Sequence, residues 1–215
     1  GAVWGDSCVR IMRKSGFDAV REYYINDAGA QIMNLGKSVY ARIREIFGLD
    51  FTLPEDGYHG PDVVNIAKKI VEKDGDKWIK MPEEEAVLQL KEIAKQMELE
   101  IIKEDLKYYG CEFDSWISEQ WIVDTGKVEA AVKKMDEMGL LYEQDGAIWF
   151  KASLYGDDKD RVLKKSDGYY TYMTPDIANH LYKYDRGFEI LVNIWGADHH
   201  GYIPRMKAAM EALGY

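Results

Sequence analysis

The sequence contains few cysteines for its length. Among 215 residues only Cys8 and Cys111 carry thiols, and they belong to no Cys-x-x-Cys pair and to no mixed Cys/His pattern. A structural zinc site or a disulfide framework is therefore not predicted. A reducing compartment, with the cytoplasm as the default, is the expected location.

The sequence also lacks long apolar runs and an excess of basic charge. No stretch approaches the ~18 consecutive apolar residues of a transmembrane helix, and residues 1–20 do not have the order of a signal peptide. There are 28 basic residues against 38 acidic ones, which gives a net charge of −10. This balance excludes bulk attraction to a nucleic-acid backbone as the main binding force. We expect a soluble chain with one sizeable domain, or a core domain that carries an insertion.

Several short catalytic and nucleotide-binding motifs are absent as well. The sequence has no GxxxxGK phosphate loop, GxGxxG fingerprint, GxSxG elbow or HExxH helix. These patterns mark common nucleotide-binding folds, acyl-enzyme hydrolases and zinc hydrolases. Short motifs alone therefore leave the function open.

The sequence does contain alternating helix and strand patterns. Apolar spacing predicts helices over residues 2–15, 30–47, 62–73, 83–104, 126–138 and 203–213. Strands or extended segments are predicted at 17–25, 110–118, 146–153, 169–174 and 188–196. The last of these is nearly continuously apolar, so we expect it to be buried on both faces of a parallel sheet. Residues 156–168, where acids alternate with bases, are expected to form a solvated hairpin loop.

The first candidate site is GADHHGY (196–202), directly after the most apolar predicted strand. Ligands of open α/β sheets collect beyond the carboxyl ends of strands. Gly196 would let a ligand approach the backbone, and the Asp198 carboxylate can accept hydrogen bonds from two vicinal hydroxyls. A plain turn with Asp198 near a helix cap explains the same residues. His199 and His200 are candidate metal ligands, although adjacent side chains diverge in direction.

The second candidate site is TYMTPD (171–176). Thr174 is predicted to cap a helix, with Pro175 at its first position and Asp176 in its first turn. Capping alone can explain these residues. Alternatively, Asp176 beside the Tyr172 ring suits a guanidinium, because paired carboxylate oxygens match its forked donors and an aromatic face can stack on it.

Four longer segments resemble arginyl-tRNA synthetases in order and spacing. They are REYYINDAGAQIMNLGKSVYAR (21–42), FDSWISEQ (113–120), GDDKDRVLKKSDGYYTYMTPDIANH (156–180) and IWGADHHGYIPRMKAAMEALGY (194–215). The resemblance implies a class I synthetase, an α/β protein whose Rossmann-like parallel-sheet core binds ATP and arginine. Such an enzyme makes arginyl-adenylate and passes the arginine to tRNA(Arg). On this basis we expect a partial catalytic core over residues 1–47 and 101–215, with a mostly helical insertion over 48–100.

The resemblance also implies roles for individual residues. Tyr172 and Asp176 are expected to bind the arginine side chain. Gly196 and Asp198 are expected near the ATP ribose, and His199 near the junction of arginine and nucleotide. ATP is the expected co-substrate, with Mg²⁺ in the full enzyme and no structural metal.

Two signatures of class I synthetases are missing from this sequence. A His-x-Gly-His turn is expected before Gly1, where a helical pattern starts without a cap, and a Lys-Met-Ser-Lys loop is expected after Tyr215. Both supply donors that stabilise the transition state, so we expect the isolated chain to be an inactive internal piece of the catalytic domain. We expect most tRNA contacts to lie outside it, and we expect no membrane partner. Two alternatives stay open. One is a non-catalytic synthetase-like module; the other is a metal-dependent hydrolase built on Asp198, His199 and His200.

Overall fold

A computed structural model describes residues 1–215, which divide into two compact units. The core unit comprises Gly1–Ile25 and Asp114–Tyr215, and the helical unit comprises Asn26–Phe113. The elements, in chain order, are α1 (Ala2–Lys14), β1 (Glu22–Ile25), α2 (Ala30–Ile46), α3 (Pro61–Asp74), α4 (Lys77–Lys80), α5 (Glu83–Tyr108), β2 (Ser115–Ser118), α6 (Glu119–Asp124), α7 (Lys127–Glu137), β3 (Leu141–Gln144), β4 (Ala147–Phe150), β5 (Arg161–Lys164), α8 (Met173–Asp185) and α9 (Ile203–Ala212). Short 3₁₀ helices span Ala152–Tyr155 and Ala197–Tyr202.

Two small sheets lie in the core unit. Strands β1 and β2 pair in parallel, from Glu22 opposite Ser115 to Ile25 opposite Ser118. Strands β3, β4 and β5 form an antiparallel sheet. The turn between β3 and β4 is Asp145-Gly146, and both residues have positive φ, as a two-residue hairpin turn requires. The predicted parallel pairing is therefore present in β1 and β2, while the second sheet is antiparallel.

One hydrophobic core lies between helices α6 to α9 and the antiparallel sheet. Its fully buried members include Ile122, Met135, Phe150, Leu163 and Ile177. Burying side chains of this size contributes about 1.5–3 kcal/mol each. This core holds α8 and the ends of β1 and β2 in place, and these elements carry the candidate site.

The helical unit has a separate core formed by α2 to α5. Pro61 occupies the first turn of α3, where its missing N–H costs nothing, and the acidic residues Glu83–Glu85 suit the positive N-terminal end of α5. Trp78 and the apolar faces of α2, α3 and α5 are buried together. This unit extends beyond the predicted insertion of 48–100 because α2 packs its buried face, including Val39 and Ile43, into the same core.

Three local predictions were wrong. Residues 188–196 form no strand, and Ile190 and Val192 are 67% and 66% exposed, because no neighbouring strand pairs with this segment. Residues 169–174 make only a single bridge, between Lys164 and Tyr170, before α8 begins at Met173. Residues 156–168 are not a solvated loop, since they contain β5 with buried Leu163.

No helix combines the length and the apolar character needed to cross a membrane.

Candidate functional site

Asp176 lies in the first turn of α8, directly after Pro175. Its Oδ2 accepts a hydrogen bond of 2.6 Å from the Tyr202 hydroxyl. Burial raises the pKa of Asp176, whereas the Tyr202 hydrogen bond, Lys183 and His199 act to lower it. A partly desolvated carboxylate with one donor still has acceptor capacity for a cationic ligand.

Two further residues of the core unit complete this cluster. Glu119 begins α6, and its position is fixed because the Ser118 Oγ caps the helix by accepting from the Trp121 N–H at 3.0 Å. Tyr24 lies on β1, and burial followed by the negative charges of Glu119 and Asp176 raises the pKa of its hydroxyl. Glu119 is itself only 8% exposed. We call Tyr24, Glu119, Asp176 and Tyr202 the carboxylate cluster.

The carboxylate cluster has a definite chemical preference. It combines two carboxylates, which only accept hydrogen bonds when ionised, with two phenols that can donate or accept. Both carboxylates act electrostatically on the Tyr24 and Tyr202 hydroxyls, so a cation bound at this cluster would be attracted by two negative charges. A flat cation with several N–H donors matches this arrangement better than an anion or an apolar group.

The other residues predicted from TYMTPD are placed differently. Thr174 does not cap α8; it is buried, and its Oγ1 donates to the Leu163 carbonyl at 2.7 Å. The N-cap position belongs to Tyr172, whose ring is 74% exposed. Because Tyr172 has helical backbone angles, it lies four residues before Asp176 on the same helix face. Capping by Thr174 was prevented by the hydrogen bond that this side chain makes to β5.

The segment Ala197–Tyr202 is a 3₁₀ helix with Gly196 as its N-cap. The Asp198 Oδ1 lies 3.1 Å from the His199 Nδ1, and this contact lowers the pKa of Asp198. A Cβ at Gly196 would crowd the exposed Asp198 carboxylate, which can turn away, so this contact does not require a glycine. Asp198, His199 and His200 are all exposed.

Tyr202 connects the two candidate sites, residues 171–176 and 196–202. It ends the 3₁₀ helix that contains Asp198 and His199, and its hydroxyl reaches Asp176 on α8. The Trp195 ring packs against Tyr202 at 5.6 Å and against His199 at 6.3 Å. The structure therefore brings the segments around residues 176 and 199 together, as neither motif alone could indicate.

No group of three or more His, Cys, Asp or Glu side chains is arranged to hold a metal ion. Asp198 and His199 contact each other, but His200 does not join them in a three-ligand group, so the geometry does not favour the hydrolase hypothesis.

Tyr24, Glu119 and Tyr202 were not predicted as site residues. Glu119 and Tyr24 are 95 positions apart in the sequence, and the parallel pairing of β1 with β2 brings them together. The available signal was that each falls inside a segment resembling synthetases. Spacing rules within one helix or strand could not identify them.

Comparison with known proteins connects this geometry with one family. Residues 119–215 match the family described as tRNA synthetases class I (R), catalytic domain. Arginine–tRNA ligases of Geobacillus kaustophilus and Bacillus subtilis are 55% and 51% identical over all 215 residues. The chain spans 39% of the length of each relative.

Solved structures show the same similarity. A Campylobacter jejuni structure assigned as an arginyl-tRNA synthetase superposes with a TM-score of 0.92 at 42% identity, covering 100% of this chain and 47% of that one. Thermus thermophilus arginyl-tRNA synthetase gives a TM-score of 0.64 at 19% identity, covering 100% of this chain and 42% of that one, which is a likeness of fold.

Proposed function

We propose, from the chain's membership of the class I arginyl-tRNA synthetase family, that it carries the arginine site and part of the nucleotide site of an arginine–tRNA ligase. Its fold is that of the class I synthetase catalytic domain. In the complete enzyme an arginine carboxylate oxygen attacks the α-phosphorus of ATP and releases pyrophosphate. The resulting arginyl-adenylate then transfers its arginine to a terminal hydroxyl of tRNA(Arg).

The observation that carries the proposal is the half-buried Asp176 carboxylate, which acts together with the Glu119 carboxylate on the Tyr24 and Tyr202 hydroxyls. Asp176 would pair with the guanidinium, and Tyr172 would offer its exposed ring as a stacking face from the same helix side. Glu119 and Tyr24 would accept from the remaining cationic or N–H groups of the substrate. Burial strengthens these charged contacts, which favours arginine over neutral side chains.

The nucleotide side of the proposal rests on the segment Gly196–His199. Gly196 is exposed and carries no side chain, and the exposed Asp198 would accept hydrogen bonds from the ribose hydroxyls. His199 acts electrostatically on Asp176, which supports a place between arginine and ATP. A positive or donor group there would face the reacting carboxylate and phosphate oxygens.

The proposal also covers how Mg²⁺ enters the site, where tRNA contacts come from and where the enzyme is located. We propose that Mg²⁺ enters as MgATP, as part of the substrate, because Mg²⁺ is usually bound through substrate phosphates with only one or two protein carboxylates. With a net charge of −10 this segment attracts tRNA poorly, so other parts of the longer enzyme would supply most tRNA contacts. We place the enzyme in the cytoplasm and regard residues 48–100 as part of a helical insertion, the unit Asn26–Phe113, in a core built from Gly1–Ile25 and Asp114–Tyr215.

The test is Asp176→Asn in a full-length arginine–tRNA ligase that carries this segment. Loss of the charged partner of a buried guanidinium is expected to lower kcat/KM for arginine by about 2–4 kcal/mol of transition-state binding, with the KM for ATP nearly unchanged. Asp185→Asn, at the other end of α8, is the matched control. An unchanged kcat/KM for arginine in the Asp176 variant would remove this residue from the site.

A further inference from the structure

The segment from Phe188 to Trp195 lies between α8 and the nucleotide-side residues. It is neither helix nor strand, and the side chains of Ile190 and Val192 are mostly exposed. Its last residue is followed at once by Gly196, so the position of this segment sets the position of Gly196–His199. Any contact that prevents this segment from sliding along its own axis therefore helps to set the position of the proposed ATP site.

A hydrogen bond between Asn193 and His180 makes such a contact. The His180 Nδ1 lies 2.7 Å from the Asp176 backbone carbonyl, one turn earlier on α8. The His180 Nε2 lies 2.9 Å from the Asn193 Nδ2. A carbonyl can only accept, so Nδ1 carries the proton, and Nε2 is left with a lone pair that accepts from the Asn193 amide.

The surroundings of His180 favour this neutral form. The residue is only 5% exposed, and burial lowers the pKa of its imidazole. The charged groups that face it are Lys183, which lowers the pKa further, and Glu22, which raises it. The bond to the Asp176 carbonyl also raises it, without outweighing burial.

The remaining contacts of the segment are less directional. The Ile194 side chain packs against α1 so closely that a Cβ at Gly5 would lie 2.8 Å from the Ile194 Cδ1. Trp195 packs through its ring against Tyr202. Apolar contacts tolerate small sliding movements, whereas a hydrogen bond is directional and is lost when its partners separate.

We propose that His180 and Asn193 are positioning residues, which hold the nucleotide-side segment Gly196–His199 at a fixed distance from the arginine-side helix α8. The chain of contacts runs from the Asp176 carbonyl through the His180 ring to the Asn193 amide, three residues before Gly196. The inference rests on the proposed function for the identity of the two ligands. The link itself rests on the geometry alone.

Three variants test the link in the full-length enzyme. Asn193→Ala is expected to weaken binding of a non-hydrolysable ATP analogue about fivefold, the usual effect of one lost hydrogen bond, while arginine alone binds unchanged. His180→Leu removes the acceptor and should lower the affinity for the ATP analogue. His180→Gln keeps an acceptor oxygen and should retain most of that affinity. Glu189→Ala, an exposed change in the same segment, serves as control.

A fourth variant gives a readout that simple loss of packing would not produce. In Asn193→Asp a carboxylate faces the Nε2 lone pair, so the contact is repulsive while His180 is neutral. Protonated His180 can donate to that carboxylate, so affinity for the ATP analogue should recover as pH falls from 8 to 6. The unsubstituted enzyme and Asn193→Ala should show no such recovery.

Hydrogen exchange of the 215-residue chain separates this inference from the proposed function. Asn193→Ala should speed amide exchange over residues 188–199 and leave α8 unchanged, with no ligand present. Unchanged exchange, or an Asn193→Asp variant without pH-dependent recovery, would overturn the positioning role. An Asp176→Asn enzyme that binds arginine normally would instead overturn the proposed function and leave the exchange result standing.

Discussion

The Tyr202 hydroxyl donates a 2.6 Å hydrogen bond to the Asp176 carboxylate, and so links the 3₁₀ helix after Gly196 to the first turn of α8. Asp176 thereby receives one donor from the nucleotide side of the proposed site. This hydrogen bond lowers the pKa of the Asp176 carboxyl, whereas burial raises it. The protonation of Asp176 is therefore set jointly by the two segments.

Removing the Tyr202 hydroxyl should make arginine use more sensitive to acid. In Tyr202→Phe the pKa of Asp176 rises further, because burial then acts without the opposing hydrogen bond. Since arginine needs the ionised carboxylate, the acidic limb of the pH profile of kcat/KM for arginine should move to higher pH. Tyr184→Phe is the control, since Tyr184 stacks on Tyr215 away from Asp176. If the acidic limbs of the Tyr202→Phe and unsubstituted enzymes coincide, the Tyr202 hydroxyl does not influence the ionisation of Asp176.

Asp176→Asn should stabilise the folded chain at neutral pH. The folded-state pKa of Asp176 lies above its ordinary value, so stability is lost as pH rises through this range and the buried group ionises. Asparagine avoids that cost and still accepts from Tyr202. Thermal unfolding should show a higher Tm than the unsubstituted chain at pH 7, with the difference shrinking toward pH 4. A lower Tm at pH 7 would mean that the carboxylate stabilises the fold.

Asp198→Ala should affect ATP and not arginine selectivity. We expect the KM for ATP in the full-length enzyme to rise about tenfold, the effect of one lost charged acceptor, while discrimination of arginine from lysine persists. Glu189→Ala removes a nearby exposed acid and should change neither quantity. Equal losses of arginine selectivity in the Asp176→Asn and Asp198→Ala enzymes would contradict the assignment of Asp176 to arginine and of Asp198 to ATP.

Asp114 should contribute to resistance to acid. Hydrogen bonds from Arg21, followed by one from Arg13, lower the pKa of Asp114 to about 2. A depressed carboxyl pKa stabilises the fold above the unfolded value and loses this effect as pH falls from about 4 toward 2. Asp114→Asn should unfold at higher pH during acid titration followed by circular dichroism, and salt should narrow the difference. Asp136→Asn, on exposed α7 surface, should behave like the unsubstituted chain.

The 215-residue chain alone should not form arginyl-adenylate. It contains the carboxylate cluster, but neither signature that class I synthetases use to stabilise the transition state. Loss of preorganised donors commonly costs about 3 kcal/mol each, so the rate should fall by several powers of ten. Pyrophosphate exchange with arginine, ATP and tRNA measures this directly. Turnover near that of an intact synthetase would show that the catalytic groups lie inside the chain.

Local signals predicted the helices well. The predicted helices over 62–73, 83–104 and 126–138 correspond to α3, Pro61–Asp74, α5, Glu83–Tyr108, and α7, Lys127–Glu137. Such signals act within a few residues, so they survive without tertiary information. The predicted strand at 188–196 failed for the opposite reason. Its apolar run is typical of a buried strand, but a strand exists only where a neighbour pairs with it.

The candidate site was predictable only in part. Asp176 and Asp198 each follow a recognisable local pattern, and the structure places their segments together through Tyr202. Glu119 could not be found from spacing, because its proximity to Tyr24 depends on strand pairing between distant segments. The roles assigned to Tyr172, Asp176, Gly196, Asp198 and His199 stay predictions until the variants are measured.

The pairing of β1 with β2 also bears on how the chain folds. The Arg21 N–H and the Asp114 carboxylate, at the edge of this pair, are separated by 93 residues of sequence. Closing a flexible loop of that length costs entropy that grows with the logarithm of its length. The intervening residues have their own apolar core, so early ordering of the helical unit would shorten the flexible part of the loop. We therefore expect β1–β2 pairing, and with it the meeting of Tyr24 and Glu119, to be a late and slow event in folding.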